Sequence, residues 1–347
     1  MIIRNENENT YFLDFLRVLS CFAVVVLHVN INYLNDLSNL LHDNMMRAMD
    51  VNSRIVTFAV PMFLTITGYI FLGLKNECTY KSLRKYLIKF IVIWFVAGTL
   101  FNILEYIFLN KTFDLSFIKT AFIEALAGNT WDHLWYIKTI FFIYLLLPIF
   151  KPFFNKDNNN SDLIIFIAIF ALEVLVLPKY NAKSPIKVLS QFPIGTDVLY
   201  VLLGGLLYKY KFNNNFSANL ISALLIILIV ILNYVFFDSI NFLSLTNRYS
   251  LANFIVVILL FNLCRNIISK DYKLISFLAK HTLYIYVFHV AILHVFTKML
   301  HYSFLIDKNV IISEYILAII IFSLTLIVSI IIKSISSILR PLFSHII

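Results

Sequence analysis

Long apolar runs separated by short polar stretches dominate this chain, and the runs are continuous rather than alternating. Continuous runs near ~20 residues suit helices that cross a bilayer, whereas an outer-membrane barrel would alternate every second residue. Ten runs can be placed: Tyr11 to Ile31, Ile55 to Leu74, Leu87 to Leu109, Leu134 to Phe153, Leu163 to Leu177, Val198 to Tyr208 with its flanks, Leu220 to Phe237, Leu251 to Ile268, Leu283 to Leu300 and Tyr315 to Ile332. The sixth is interrupted by Gly204 and Gly205 and is expected to be short, tilted or partly re-entrant. Phe117 to Leu126 is too short to span and is expected to lie at the interface. Asn155 to Asp162 and Asn213 to Asn215 read as polar loops. The pattern predicts an all-α integral membrane protein, about ten transmembrane helices in one bundle, with residues 1–347 forming a single transmembrane domain.

Composition sharpens this picture. The chain is 61% hydrophobic and only 14% charged, against about 25% charged in soluble domains. The net charge of +9 would suit a nucleic-acid partner, but the Lys and Arg residues sit in short loops between apolar runs, where the positive-inside rule puts them. No nucleic-acid partner is therefore expected. The cluster Lys75, Lys81, Arg84, Lys85 and Lys89 is the strongest anchor, and the loop bias favours both termini in the cytoplasm. Cys21, Cys78 and Cys264 are scattered, without metal spacing, and read as ordinary core residues. The first run is too long for a cleavable signal and is interrupted by Asp14 and Arg17. The expected location is a bacterial cytoplasmic membrane.

Arg17 and His28 both lie in that first run, with ten residues between them. An ionisable residue at mid-span costs roughly 2.5–3.5 kcal/mol on insertion scales, which makes it a functional candidate by default. Eleven steps of about 100° return to nearly the same helical face, so the two side chains share a stripe roughly 16 Å apart. Asp14, three residues before Arg17, can pair with it. The plain alternative is that Asp14 and Arg17 snorkel to the interface and His28 caps a helix end.

Other segments add to this stripe. The second run opens at Arg54 and continues Phe58-Ala59-Val60-Pro61-Met62-Phe63-Leu64 to Thr67-Gly68-Tyr69. The fourth begins His133-Leu134-Trp135-Tyr136-Ile137 and ends Leu147-Pro148. The ninth holds His281-Thr282-Leu283-Tyr284-Ile285-Tyr286 and then His289. Over nearly its whole length, and in the same order, the chain resembles the membrane-bound acyltransferase-3 family. Within that family it is similar to the compact branch that O-acetylates surface polysaccharides such as enterobacterial common antigen. The C-terminal hydrolase-like domain of some members is not expected here. The resemblance implies acetyl-CoA or another acyl-CoA as donor substrate on the cytoplasmic side. It also implies a hydroxyl of a surface glycan, or of its lipid-linked precursor, as acceptor. No permanently bound cofactor is implied.

The residue chemistry fits that implication. O-acyl transfer needs a base to take the hydroxyl proton as the oxygen attacks a thioester. His28 is suited to it, because the ordinary imidazole pKa of about 6.5 leaves it able to accept a proton near pH 7. An acyl-carrying nucleophile and a substrate-orienting role stay open for the same residue. Arg54 is a candidate to face the oxyanion or the acceptor, or else an interfacial anchor. Arg17 is a candidate to hold the donor's phosphates or pantetheine carbonyls, with Asp14 beside it, or else it pairs with Asp14 alone. Lys85 and its basic loop would attract the CoA phosphates, although topology alone also explains them. Trp135 and Tyr136 form either a sugar platform or part of an aromatic belt. His289 lines or supports the site, or makes an interhelical hydrogen bond.

His133, beside Asp132, reads as a solvated loop histidine. Glu105, Glu124 and Glu173 are the candidates to orient His28, and Pro61 and Gly68 are expected to shape the second run and let helices approach closely. Two other functions share these features: a transporter or exporter of a small polar substrate or polysaccharide, which predicts inverted repeats, and a scaffold in glycan assembly, which leaves Arg17 and His28 unexplained.

Overall fold

The computed structural model describes residues 10–37, 43–75, 77–110, 115–154, 160–175, 196–210, 215–235, 250–299 and 309–339. The polar tracts at 155–159 and 213–214, and the run ends at 176–177, 236–237 and 300, lie outside them. The described residues are helical throughout, joined by short turns. The helices are α1 (Tyr11–Leu37), α2 (Asp43–Val56), α3 (Ala59–Gly68), α4 (Tyr80–Asn110), α5 (Ser116–Ala127), α6 (Trp135–Phe150), α7 (Ser161–Leu175), α8 (Thr196–Lys209), α9 (Phe216–Val235), α10 (Leu251–Ile267), α11 (Lys273–Ala279), α12 (Thr282–Met299) and α13 (Val310–Leu339).

Each of the ten apolar runs overlaps a helix. Among the described residues, six helical stretches are long and apolar enough to cross a membrane, or seven if α11 and α12, bent by 66°, make one span. The helices α7, α8 and α10 are shorter, at 15, 14 and 17 residues. The segment expected at the interface is the 12-residue helix α5, which ends at Gly128 in the left-handed conformation, φ 87°.

The second run does not begin at Arg54. Arg54 lies in the last turn of α2, and the chain breaks at Thr57 and Phe58 before α3 starts. Pro61 explains the break: it has no N–H to close on the Thr57 carbonyl, and its ring crowds that carbonyl. It sits instead in the first turn of α3, where its missing donor costs least.

Two compact units divide the chain: residues 1–63 with 212–347, and residues 64–211. In the first, α1 is packed by α2, α10, α11, α12 and α13. Cys21 Sγ approaches the Thr282 carbonyl at 3.5 Å, and seven residues on in both helices the His28 and His289 rings meet, so α12 runs parallel to α1. The opposite direction of α13 follows from two contacts: Asn30 bonds Glu314, and His281 Nδ1 lies 2.8 Å from Ser329 Oγ near the start of α12.

In the second unit, α3 continues into a π-helix at Tyr69–Leu74, with Lys75 N–H bonded to the Ile70 carbonyl. Gly204 does not interrupt α8. It is where α8 meets α3: a Cβ there would fall 2.0 Å from the Thr65 carbonyl oxygen, and one on Gly68 would fall 1.7 Å from that of Val201. The expectation that Gly68 permits close approach is met. Its partner glycine serves the same approach rather than loosening its own helix. Lys151, buried, donates to the carbonyls of Leu72 at 2.8 Å and Lys75 at 2.6 Å, satisfying the C-terminal end of the π-helix. Asp162, expected in a loop, is the second residue of α7 and is fully buried against Lys209 at 2.9 Å.

Gly68→Ala is expected to destabilise the protein by about 1–3 kcal/mol or more, because the added methyl meets backbone that cannot swing aside. Thermal unfolding of the purified protein in detergent measures this. A melting temperature equal to that of the wild type would contradict the packing.

Candidate active site

The polar residues of α1 lie in two groups along one helix. At its start, Arg17 Nη1 sits 3.4 Å from Asp14 Oδ1, a loose pair between partly exposed side chains. The pairing expected from their spacing is met. Toward the other end, His28 is partly exposed, and its carbonyl accepts from the Asn32 amide at 2.9 Å.

His28 and His289 come together. Their ring centroids are 4.9 Å apart with the planes tilted by 57°. His289 is fully buried, and its Nδ1 lies 2.6 Å from the Tyr286 carbonyl. A carbonyl only accepts, so Nδ1 carries the hydrogen and Nε2 of the neutral ring is an acceptor. The two imidazoles are in ring-to-ring contact, one with its tautomer set by the backbone.

A second cluster at this end of α1 was not anticipated. Glu314, in the first turns of α13, is fully buried. Its Oε1 accepts from the Asn30 amide at 3.1 Å and the Asn52 amide at 2.8 Å. Asn30 also donates to the Met49 carbonyl at 2.8 Å, and Tyr315 OH donates to Asn52 Oδ1 at 2.9 Å. Glu314 Oε2 is buried with no hydrogen-bond partner among the described residues. The network ties α1, α2 and α13 together within a turn of His28. The tenth apolar run, Tyr315 to Ile332, begins one residue too late to include this carboxylate. An Asn two residues after His28, and an acid directly before the last apolar run, are the signals that point to it.

Arg54 is buried on α2 and bound to Asp50, with Nε and Nη2 each 2.8 Å from Asp50 Oδ2. It shares the last turns of α2 with Asn52. The guanidinium is thus held in place by the Asp50 carboxylate.

The remaining candidates belong to the second unit. Lys85 is exposed near the start of α4, its Nζ 5.3 Å from the centre of the Tyr86 ring. Lys75 lies 4.1 Å over the ring of Phe71. Trp135 is half-buried and Tyr136 buried at the start of α6, with ring centres 6.0 Å apart in an edge-on pair. His133 is not a solvated loop histidine. It is buried, with its ring 5.6 Å from that of Phe101 and 6.2 Å from that of Trp131. The carboxylates proposed to orient His28 have other partners: Glu105 accepts from the Trp131 indole at 2.9 Å, and Glu124 accepts from the Asn129 amide. The side chain of Glu173 lies outside the described residues.

The cysteines are free and buried. Burial pushes the Cys78 thiol up to about 11, although Lys151 and Lys75 draw it the other way. A thiol so far from its thiolate is poorly placed to carry an acyl group.

A family model described as an acyltransferase domain, of the acyltransferase-3 type, matches residues 10–334 and so runs through both units. No curated protein and no solved structure matches the chain.

Proposed function

The chain belongs to the acyltransferase-3 family, and from that premise we propose that this multi-pass membrane acyltransferase moves an acetyl group from cytosolic acetyl-CoA to a hydroxyl of a cell-surface polysaccharide or its lipid-linked precursor. The observation that carries the reading is the His28–His289 pair, two imidazoles 4.9 Å apart inside a membrane helix bundle.

His28 takes the proton of the acceptor hydroxyl as its oxygen attacks the thioester carbonyl. The tetrahedral intermediate then collapses, the carbon–sulfur bond breaks, and the departing CoA sulfur takes that proton from the imidazolium. His289 supports the imidazolium through Nε2, because its own Nδ1–H is committed to Tyr286. Arg54, fixed by Asp50, supplies positive charge for the oxyanion or the acceptor. Arg17, oriented by Asp14, attracts the anionic donor on the cytoplasmic side. Trp135 and Tyr136 supply aromatic surface for the acceptor. Glu314 positions the turn that bears His28, through Asn30.

Mass spectrometry of surface glycans from cells with and without this chain tests the reading. The glycans of cells that make it are expected to be heavier by one acetyl group per modified unit, and the difference names donor group and acceptor together. Identical glycan masses would contradict the proposal.

A further inference from the structure

The second unit has an open cleft of about 360 Å³ at the C-terminal end of α4, away from the exposed Lys81, Arg84 and Lys85 at its other end. Asn102, Glu105, Tyr106 and Asn110 line it from one face of α4, with Phe117 and Glu124 facing from α5 and the turn at Asn129 and Thr130 closing it. Asn102, Glu105 and Asn110 gather polar groups on one face of the C-terminal half of α4, where Asn102 bonds the Ala121 and Asn129 carbonyls and Asn110 bonds the Tyr106 carbonyl.

The cleft is braced from below. Lys138, buried, donates to the Gly128 carbonyl at 3.0 Å and to Thr130 Oγ1 at 3.4 Å. The Asn102 amide donates to the Asn129 carbonyl at 2.9 Å. The Trp131 indole, stacked on Phe101 with ring centres 4.8 Å apart, holds Glu105. Tyr106 and Phe117 stack with centres 3.9 Å apart, giving a rigid aromatic edge. A few convergent polar groups on a rigid concave wall is how small-ligand sites are built.

Among the described residues, the lining contains no Lys, Arg or His. That disfavours a phosphate-bearing donor such as acyl-CoA. Two carboxylates and several side-chain amides instead suit neighbouring hydroxyls, which carboxylates bind by charge-assisted hydrogen bonds. They repel acidic sugars. We propose that this cleft is a glycan subsite that holds a neutral or amine-bearing sugar residue of the acceptor. The inference rests on the acyl-transfer reading for its place in catalysis, but binding in the cleft can be tested without transfer.

The test uses the full-length protein purified in detergent. The probe is an oligosaccharide mixture from the producing cells' own surface polysaccharide, stripped of esters in mild alkali. Saturation-transfer NMR is expected to detect sugar protons bound to the wild type. Glu105→Gln combined with Asn110→Ala should lose that signal with an unchanged melting temperature, since Gln still offers an oxygen to the Trp131 indole. If the double variant does not fold, Asn110→Ala alone, on an exposed residue, is read in its place and should weaken the signal.

In transfer assays the acceptor KM should rise at least about tenfold, as expected for loss of one or two such bonds. The KM for acetyl-CoA should stay within about twofold of wild type, since the donor lies elsewhere in the reading. Equal sugar binding by wild type and variant would overturn the proposal, as would absence of sugar binding or a melting shift produced by calcium alone. Sugar binding that depends on the cleft, in a protein that transfers no acetyl group, would support the subsite and overturn the acyl-transfer reading instead.

Discussion

His28→Ala is expected to reduce acetyl transfer by about 10²–10⁴-fold, the usual contribution of a positioned general base. The loss should fall on kcat, because the imidazole acts while the new bond forms rather than when substrates bind. His28→Gln separates two roles. A glutamine amide can donate and accept hydrogen bonds but cannot take up a proton near neutral pH. If His28 is the base, Gln is as inactive as Ala. If Gln retains much of the rate, orientation is the role and the proton goes elsewhere. His289→Gln should have a smaller effect on kcat, because its contact with the first ring supports a charge that His28 carries. Initial rates with labelled acetyl-CoA in membrane vesicles, normalised to the amount of folded protein, give all three.

Replacing Glu314 by Ala is the second large expected effect, and it falls first on the fold. The change strands the Asn52 amide and halves the bonding of Asn30, both buried between helices. A buried donor left without an acceptor costs about 1–3 kcal/mol. In a membrane the cost tends to the lower figure, because the disordered chain finds partners there too. Glu314→Gln keeps an oxygen for both amides and is expected to melt within about 1 kcal/mol of wild type. It removes the titratable carboxyl, so it also separates structure from chemistry. If Glu314 acts only by holding Asn30, the Gln variant transfers at nearly the wild-type rate. If transfer falls while melting holds, Oε2 takes part more directly. Parallel melting and rate measurements on the two variants distinguish these outcomes.

Much of this was legible in the chain because membrane helices are written in long apolar runs. The Asp14–Arg17 pair and the stripe to His28 follow from helical spacing alone, and the pairing is present. Contacts between distant helices are not written locally. The meeting of His28 with His289 required the parallel packing of α1 and α12, which no periodicity encodes. Gly204 was misread because a glycine signals either a weak helix or a tight contact, and only the facing backbone decides between them. His133 was misread because its neighbour Asp132 is solvated, whereas the chain folds the histidine back onto Phe101. Glu314 stands at the edge of its apolar run, where a charge reads as a boundary, yet α13 begins four residues before it.

The central claim is that a histidine within the first membrane helix brings about acyl transfer to a glycan. Purified protein in sealed vesicles, with labelled acetyl-CoA on the side of Lys85 and ester-stripped surface glycan on the other, tests it most directly. The account predicts that label reaches the glycan at a rate that falls at least about a hundredfold with His28→Ala. Equal labelling by the two proteins, or no labelling by the wild type, would contradict it.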